Sequence, residues 1–414
     1  MKKIIINILW LLLENSSRIW LALFTNAFLA RGLGVENFGI IQYSLSLIVI
    51  FSSISFICGA EVIVPMLTNA KGRKIEYILG NVFILRIFFS TIAYLLTLIY
   101  VYVFDNNLEI FYLIAILGLT MLVGESFAVI TAWLQANTNI KLRSLLVILS
   151  SLLKFIIIAT LYFCNITEIK YYALAWVIEA YIIAIGLYFI YKKHTNYMLI
   201  KYSKRKVIFF LKKGFPFFLS LLLMYAFIRM DIIMLKQYSN LKSVGLYSAA
   251  YQLIGAISLI APILAMSIAP SIIYKSEAQN IKLKILYISL GMGLIGTALS
   301  LSMMFFSKFI ILTIYGVRFE EAILIFKYLL VAMILYFINE GMNIYFLKIG
   351  NGKLLIIKWG IVLLSSIIVY MYFIPKYSAI GGVIGYATGY TISILFSLLI
   401  LYKDKSINMT KGKI

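Results

Sequence analysis

The sequence predicts an all-α integral membrane protein of about twelve transmembrane helices arranged as two six-helix lobes. Three observations predict it. Hydrophobic residues make up 63% of the 414 positions and charged residues 13%, with a mean hydropathy of +1.02, whereas soluble domains run at roughly 45–50% apolar and about 25% charged. The apolar excess recurs along the whole chain in runs of about 20 residues or more, the length that crosses a bilayer core. The Lys and Arg residues fall mainly in short gaps between the runs, and they favour alternate gaps.

The runs place spans at 4–30, 38–67, 77–104, 109–137, 142–164, 169–191, 214–237, 244–273, 283–307, 320–347, 353–374 and 377–402. Helix is the expected structure. Backbone groups in hydrocarbon must be satisfied within their own segment, and the runs lack the alternation of a β-barrel. Met1-Lys2-Lys3 followed by an apolar run imitates a signal peptide. Glu14 and Arg18 interrupt that run, which then resumes through Ala30 ahead of a second span, so a first transmembrane helix fits better.

Counting each gap with the span ends beside it, the side of the N-terminus carries 25 Lys and Arg and the opposite side 7. This asymmetry predicts a cytoplasmic N-terminus and, with an even number of spans, a cytoplasmic C-terminus. The alternation itself supports twelve spans, because a missed helix would scramble it. The longest gap, 192–213, is strongly basic and divides the chain into an N-terminal lobe, 1–205, and a C-terminal lobe, 206–414. At a shift of 206 residues, Leu29 meets Leu235, Phe38-Gly39 meets Val244-Gly245 and Leu47 meets Leu253. Two like-oriented repeats suggest a transporter whose substrate site lies between the halves.

The formal net charge of +22 is accounted for by topology. Nucleic-acid binders gather their cations on a soluble face, which is not the pattern here. Cys58 and Cys164 fall in separate apolar runs and His194 is the only histidine, so no metal site or Ser-His-Asp triad is expected. No G-x-x-x-x-G-K-[ST] loop occurs and no cofactor is implied. No long outer loop is available to house a catalytic centre, so an enzyme is not expected.

Charges inside the spans are the candidate functional groups, because each costs roughly 2.5–3.5 kcal/mol to insert. The cations are Arg18, Arg86, Lys154, Arg229 and Lys327, and the acids are Glu14, Glu61, Glu125, Glu179, Asp231 and Glu340. Glu14 and Arg18, four apart, share a helix face and can pair. Arg229 and Asp231, two apart, point to different faces. Lys154 has no charge three or four residues away and needs a partner from another helix or from a substrate. Arg86 and Lys327 lie nearer span ends and can snorkel. A cavity lined by these cations would attract an anion, and the Arg fork suits phosphate. Glu61, Glu125, Glu179, Asp231 and Glu340 are candidates to balance that charge or to carry a coupling ion. Gly381, Gly385 and Gly389 form a stripe that predicts close helix packing, and Pro262 and Pro270 predict a kinked or ended eighth helix.

Particular stretches add a resemblance. Ala30-Arg31-Gly32-Leu33-Gly34-Val35-Glu36-Asn37-Phe38-Gly39 follows a helix with a mid-span Arg. Arg229-Met230-Asp231-Ile232-Ile233-Met234-Leu235 precedes Val244-Gly245-Leu246-Tyr247-Ser248-Ala249-Ala250. With Tyr315-Gly316 and Ile374-Pro375-Lys376-Tyr377-Ser378-Ala379-Ile380-Gly381-Gly382, these stretches resemble the Wzx-type O-antigen and capsular polysaccharide flippases in order and spacing. The resemblance implies the fold of the multidrug/oligosaccharidyl-lipid/polysaccharide (MOP) exporter superfamily, two lobes forming a V around a central cavity. It implies movement of an undecaprenyl-pyrophosphate-linked oligosaccharide across a bacterial inner membrane by alternating access, coupled to H+ or Na+. A polysaccharide polymerase and a chain-length regulator would be its partners. Arg18 and Arg229 match positions where such proteins place cavity cations. Ala132-Trp133-Leu134-Gln135-Ala136 only roughly matches the aromatic pattern at the end of the fourth helix, so sugar specificity does not carry over. A multidrug or cation antiporter and a lipid II flippase of the same superfamily stay open, and a polysaccharide polymerase less so.

Overall fold

The computed structural model describes residues 2–105, 107–137, 140–195, 197, 199–269 and 281–403. Every regular element among them is helical, and the chain folds as an all-α membrane protein of two compact units, 1–225 and 226–414. Unit 1 contains α1 (Lys2–Ser52), α2 (Ala60–Thr68), α3 (Arg73–Phe104), α4 (Leu108–Ala136), α5 (Lys141–Phe163) and α6 (Ile169–His194). The unit boundary falls inside α7 (Lys204–Tyr238). Unit 2 continues with α8 (Leu241–Ser258), α9 (Ile260–Ile268), α10 (Ile281–Phe305), α11 (Ser307–Tyr315), α12 (Ala322–Ile349), α13 (Gly352–Tyr377) and α14 (Ala379–Lys403).

Eleven helical segments among the described residues are long and apolar enough to cross a membrane. The first of them holds two expected spans. Gly34 breaks α1 with φ 76° and ψ −180°, a conformation that glycine adopts without the Cβ penalty. Several other boundaries follow from residue chemistry. Asn107 accepts from the amides of Glu109 and Ile110 ahead of α4, Asn240 from that of Ser243 ahead of α8, and Asn351 from that of Lys353 ahead of α13. Gly350, at φ 65°, closes α12 in the left-handed conformation.

Three expected spans and one gap need correction. The second, 38–67, is not one helix: it ends at Ser52, passes through a 3-10 turn at Ser53–Ser55, and resumes as the nine-residue α2. The eighth, 244–273, is interrupted between α8 and α9. The ring of Pro262 opposes the carbonyl of Ser258, four residues earlier and the last residue of α8. Pro270 lies outside the described residues. The basic gap 192–213 is largely helical at both ends, since α6 runs to His194 and α7 starts at Lys204. The ninth, 283–307, stops at Phe305, and the short α11 follows it ahead of the left-handed Gly316 (φ 89°).

The two units share one internal pattern. In unit 1, α3 packs on α4, α4 on α6, and α5 on α6; in unit 2, α10 packs on α12, α12 on α14, and α13 on α14. The second long helix of each unit is followed by a nine-residue helix containing a proline, Pro65 in α2 and Pro262 in α9.

The α14 glycine stripe is a packing surface. A Cβ on Gly381 would lie 2.6 Å from the backbone of Phe373 and Ile374, and one on Gly389 would strike Phe227 and the Ser366 hydroxyl. Backbone cannot rotate away, so Gly381→Ala is expected to cost about 1–3 kcal/mol. Gly291→Ala on α10, where a Cβ meets nothing within 4 Å, is expected to be neutral or to gain up to about 1 kcal/mol. Thermal unfolding of the two variants in detergent, compared with the parent, checks the opposite signs.

Candidate functional site

Each unit carries its own set of membrane-embedded charges. In unit 1, Glu14 is 1% exposed and does not pair with Arg18. It accepts from Arg143 Nη1 at 2.6 Å and from Ser144 Oγ at 2.7 Å. Spacing along one helix allowed the Glu14–Arg18 pair, but α1 packs against α5, which brings Arg143 to Glu14. Arg18 is left exposed, with no ion-pair or hydrogen-bond partner among the described residues.

Arg86 does not snorkel. It is 4% exposed and donates from Nε to the Ile57 carbonyl (3.3 Å), from Nη2 to the Cys58 carbonyl (2.8 Å) and from Nη1 to the Glu125 carbonyl (2.9 Å). The Glu125 carboxylate lies 3.7 Å away. Residues 56–59 are the stretch where the second span is broken, and Cys58 there has φ 55°. Arg86 therefore satisfies carbonyls that the break removes from helical bonding, which is a bracing role.

Lys154 finds its partner on α6. Its ammonium is 2.6 Å from Glu179 Oε2 and 5.5 Å from the centre of the Trp176 ring, while Ser151 Oγ donates to Glu179 Oε1 at 2.7 Å. Both charges of this pair are mostly enclosed. Lys154→Met alone is expected to cost about 3–5 kcal/mol, because it strands Glu179, whereas Lys154→Met with Glu179→Gln recovers most of that loss. A thermal-unfolding double-mutant cycle checks it. Glu61 lies in α2; its side chain is outside the described residues.

In unit 2, Asp231 is 1% exposed and accepts from Tyr247 Oη (2.6 Å) and from the Ile232 amide (2.7 Å). Arg229 makes no ion pair with it. The Arg229 guanidinium carbon sits 5.7 Å from the centre of the Tyr251 ring, and its Nε is buried with no hydrogen-bond partner. Tyr251 stacks on Tyr247 at 5.9 Å and meets Tyr386 edge-on, and Tyr390 joins Tyr386 to Tyr336. Arg229 thus sits against Tyr251, the second ring in a run of five tyrosines from Tyr247 to Tyr336.

Below Tyr336 on the same helix is Glu340, which accepts from Asn343 Nδ2 (2.9 Å). Asn343 Oδ1 and Asn339 Oδ1 accept from Lys358 Nζ at 2.7 and 3.2 Å, and Ser393 Oγ donates to Asn339 Oδ1 at 2.6 Å. Lys358 has 0% exposure and lies 4.7 Å from the Phe346 ring centre. The sequence reading counted Lys358 and Arg143 only as topology charges at span ends, yet both are engaged in buried networks. The apolar stretch on both sides of Lys358, Leu354 to Leu363, is the signal that it belongs within a helix. Lys327 is half-buried in the second turn of α12, with no ion-pair partner among the described residues.

The candidate cations therefore separate. Arg86 and Lys154 are matched by carboxylates, and so is Arg143. Arg18 and Arg229 carry guanidinium groups with no carboxylate bonded to them among the described residues. Glu14, Glu125, Glu179, Asp231 and Glu340 each have a partner. No group of three or more His, Cys, Asp or Glu converges among the described residues.

Residues 4–274 match the family described as "Polysaccharide biosynthesis protein". No curated protein matches the chain. Among solved structures, the fold is similar to a lipid II flippase, MurJ, in an inward closed conformation, with TM-score 0.73, 18% identity, and coverage of 98% of this chain and 94% of that one. It is also similar to a multidrug resistance MATE transporter of the MOP superfamily in an inward-facing conformation, with TM-score 0.71, 15% identity, and coverage of 95% and 96%. An outward-facing MATE structure aligns with TM-score 0.59 at 17% identity over 100% and 97%.

Proposed function

The chain belongs to the polysaccharide biosynthesis protein family and has the MOP transporter fold, and from this premise we propose that it is a flippase for a lipid-linked oligosaccharide. The substrate is an undecaprenyl-pyrophosphate-linked repeat unit of an O-antigen or capsule, moved from the cytoplasmic to the periplasmic leaflet of a bacterial inner membrane. Both termini are cytoplasmic, as the loop charges suggest. The observation that carries the reading is that two guanidinium groups, Arg18 and Arg229, have no carboxylate bonded to them among the described residues.

A pyrophosphate is the part of such a substrate that hydrocarbon excludes. The undecaprenyl tail can stay in lipid while the headgroup follows a polar route, and a planar Arg fork meets two phosphate oxygens at once. Tyr251, Tyr386, Tyr390 and Tyr336 offer flat apolar faces with hydroxyl edges, which suit sugar rings passing beside Arg229. Alternating access would be driven by H+ or Na+. Asp231 and Glu340 are the best placed of the candidate acids to carry the ion, because Tyr247, the Ile232 amide and Asn343, which donate to them, are all neutral, while Glu125 and Glu179 face cations. The family and fold are those of transporters, which supports a non-enzymatic role. A polymerase and a chain-length regulator would act on the delivered units. A cation or drug antiporter is disfavoured, since Glu14, Glu125, Glu179, Asp231 and Glu340 each already have a partner.

Deletion of the gene in its host tests the reading. Single repeat units should accumulate on the lipid carrier in the cytoplasmic leaflet and surface polymer should vanish. Unpolymerised single units at the surface would make the protein a polymerase instead.

A further inference from the structure

Unit 1 contains a second cationic feature, away from Arg18. The first turns of α3 and the segment leading into α7 converge there. Lys201 Nζ reaches Glu76 Oε2 at 3.1 Å, the Ser203 amide donates to Asn81 Oδ1 at 2.7 Å, and Cys58 Sγ donates to the Phe210 carbonyl at 3.0 Å. Between these elements lies a cavity of about 610 Å³. Most of its wall is apolar, including Pro65, Met66 and Phe210, and three lysines, Lys74, Lys206 and Lys213, open onto it. No carboxylate lines it. None of the three lysines has an ion-pair partner among the described residues, and the carboxylate close by, Glu76, is already held by Lys201.

The chemistry fits one class of occupant. A soluble phosphate would gain nothing from the apolar wall, and a neutral lipid nothing from three uncompensated ammonium groups. The volume lies within the range of small-molecule sites and holds a headgroup with the start of its chains. Lys74 is the second residue of α3 and Lys206 the third of α7, so both stand at the ends of membrane-crossing helices, where headgroups lie. Basic pockets among helices at that level bind anionic headgroups. We propose that this groove is a binding site for an anionic phospholipid such as phosphatidylglycerol, distinct from the transported substrate. The lipid's phosphate meets Lys74, Lys206 and Lys213, and its acyl chains lie along Pro65, Met66 and Phe210. The proposal is independent of which molecule the protein transports.

Native mass spectrometry of the full chain in detergent, titrated with phosphatidylglycerol and separately with phosphatidylcholine, tests it. The parent should retain phosphatidylglycerol in preference to phosphatidylcholine. The variant K74Q/K206Q/K213Q should bind it about fivefold more weakly for each lysine removed, while K192Q/K193Q/K353Q, neutralised elsewhere on basic segments, should match the parent. Met66→Trp, which fills the cavity and leaves the lysines intact, should also weaken binding. Millimolar inorganic phosphate should not displace the lipid. Equal loss in both triple variants would reduce the effect to a diffuse basic face and overturn the site, as would equal retention of both lipids. Displacement by an isoprenyl phosphate at lower concentration than phosphatidylglycerol would make the groove a substrate subsite and overturn the phospholipid assignment.

Discussion

An Arg86→Met variant is expected to lose most of its folded yield. The substitution keeps a long apolar stem but removes every donor that Arg86 supplies to Ile57, Cys58 and Glu125. Each stranded buried carbonyl costs about 1–3 kcal/mol, and loss of the charge facing the part-exposed Glu125 carboxylate adds to that. Such a sum competes with the whole stability of an ordinary domain, about 5–15 kcal/mol. The damage should concentrate at residues 56–59, where the second span has no helical bonds to fall back on. The monodisperse fraction after detergent extraction, and the unfolding temperature of what survives, measure the effect. Arg86→Lys should recover only part of it, since one ammonium cannot reach three carbonyls in the fork's geometry. An Arg86→Met protein with parental yield and stability but no transport would place Arg86 on the substrate path instead.

Arg229→Ala is expected to do the opposite: to spare folding and remove transport. No carboxylate is left stranded by the change, and the ring contact with Tyr251 at 5.7 Å is worth about 0.5–2 kcal/mol. Loss of a charge-assisted bond to a substrate phosphate costs about 1.5–3 kcal/mol, which is roughly a 10- to 150-fold fall in transport at low substrate concentration. Arg229→Lys should retain an intermediate rate, because it preserves charge but not the two-oxygen grip. Arg18→Ala should behave in the same way. Initial rates of substrate translocation, normalised to protein amount, check all three variants. Full transport by Arg18→Ala at normal expression would remove Arg18 from the mechanism.

The fold was largely legible because hydrophobic length and loop charge are properties of contiguous sequence. What escaped were breaks within apolar runs. The interruption at residues 53–59 is marked within the run only by Gly59, ahead of α2, and Cys58 adopts positive φ without being a glycine. The charges were legible as an inventory and illegible as pairs. Spacing alone put Arg18 beside Glu14, whereas inter-helix packing put Arg143 there, 129 residues away in sequence. Lys358 escaped because a lysine near the start of a span reads as a topology charge, and only the neighbouring Asn339 and Asn343 make its burial tolerable. Arg229 was legible for a physical reason: its nearest acid in sequence, Asp231, points to another helix face, and the structure keeps the two unbonded.

The most direct test is translocation by the purified protein in liposomes. A labelled undecaprenyl-pyrophosphate-linked oligosaccharide is placed in one leaflet, an H+ or Na+ gradient is imposed, and its arrival in the other leaflet is followed with a membrane-impermeant sugar-modifying enzyme. The flippase reading predicts protein-dependent crossing that Arg18→Ala with Arg229→Ala abolishes, and no exchange of a lipophilic drug cation. Ion-coupled movement of the drug cation, with the oligosaccharide lipid remaining in its original leaflet, would contradict it.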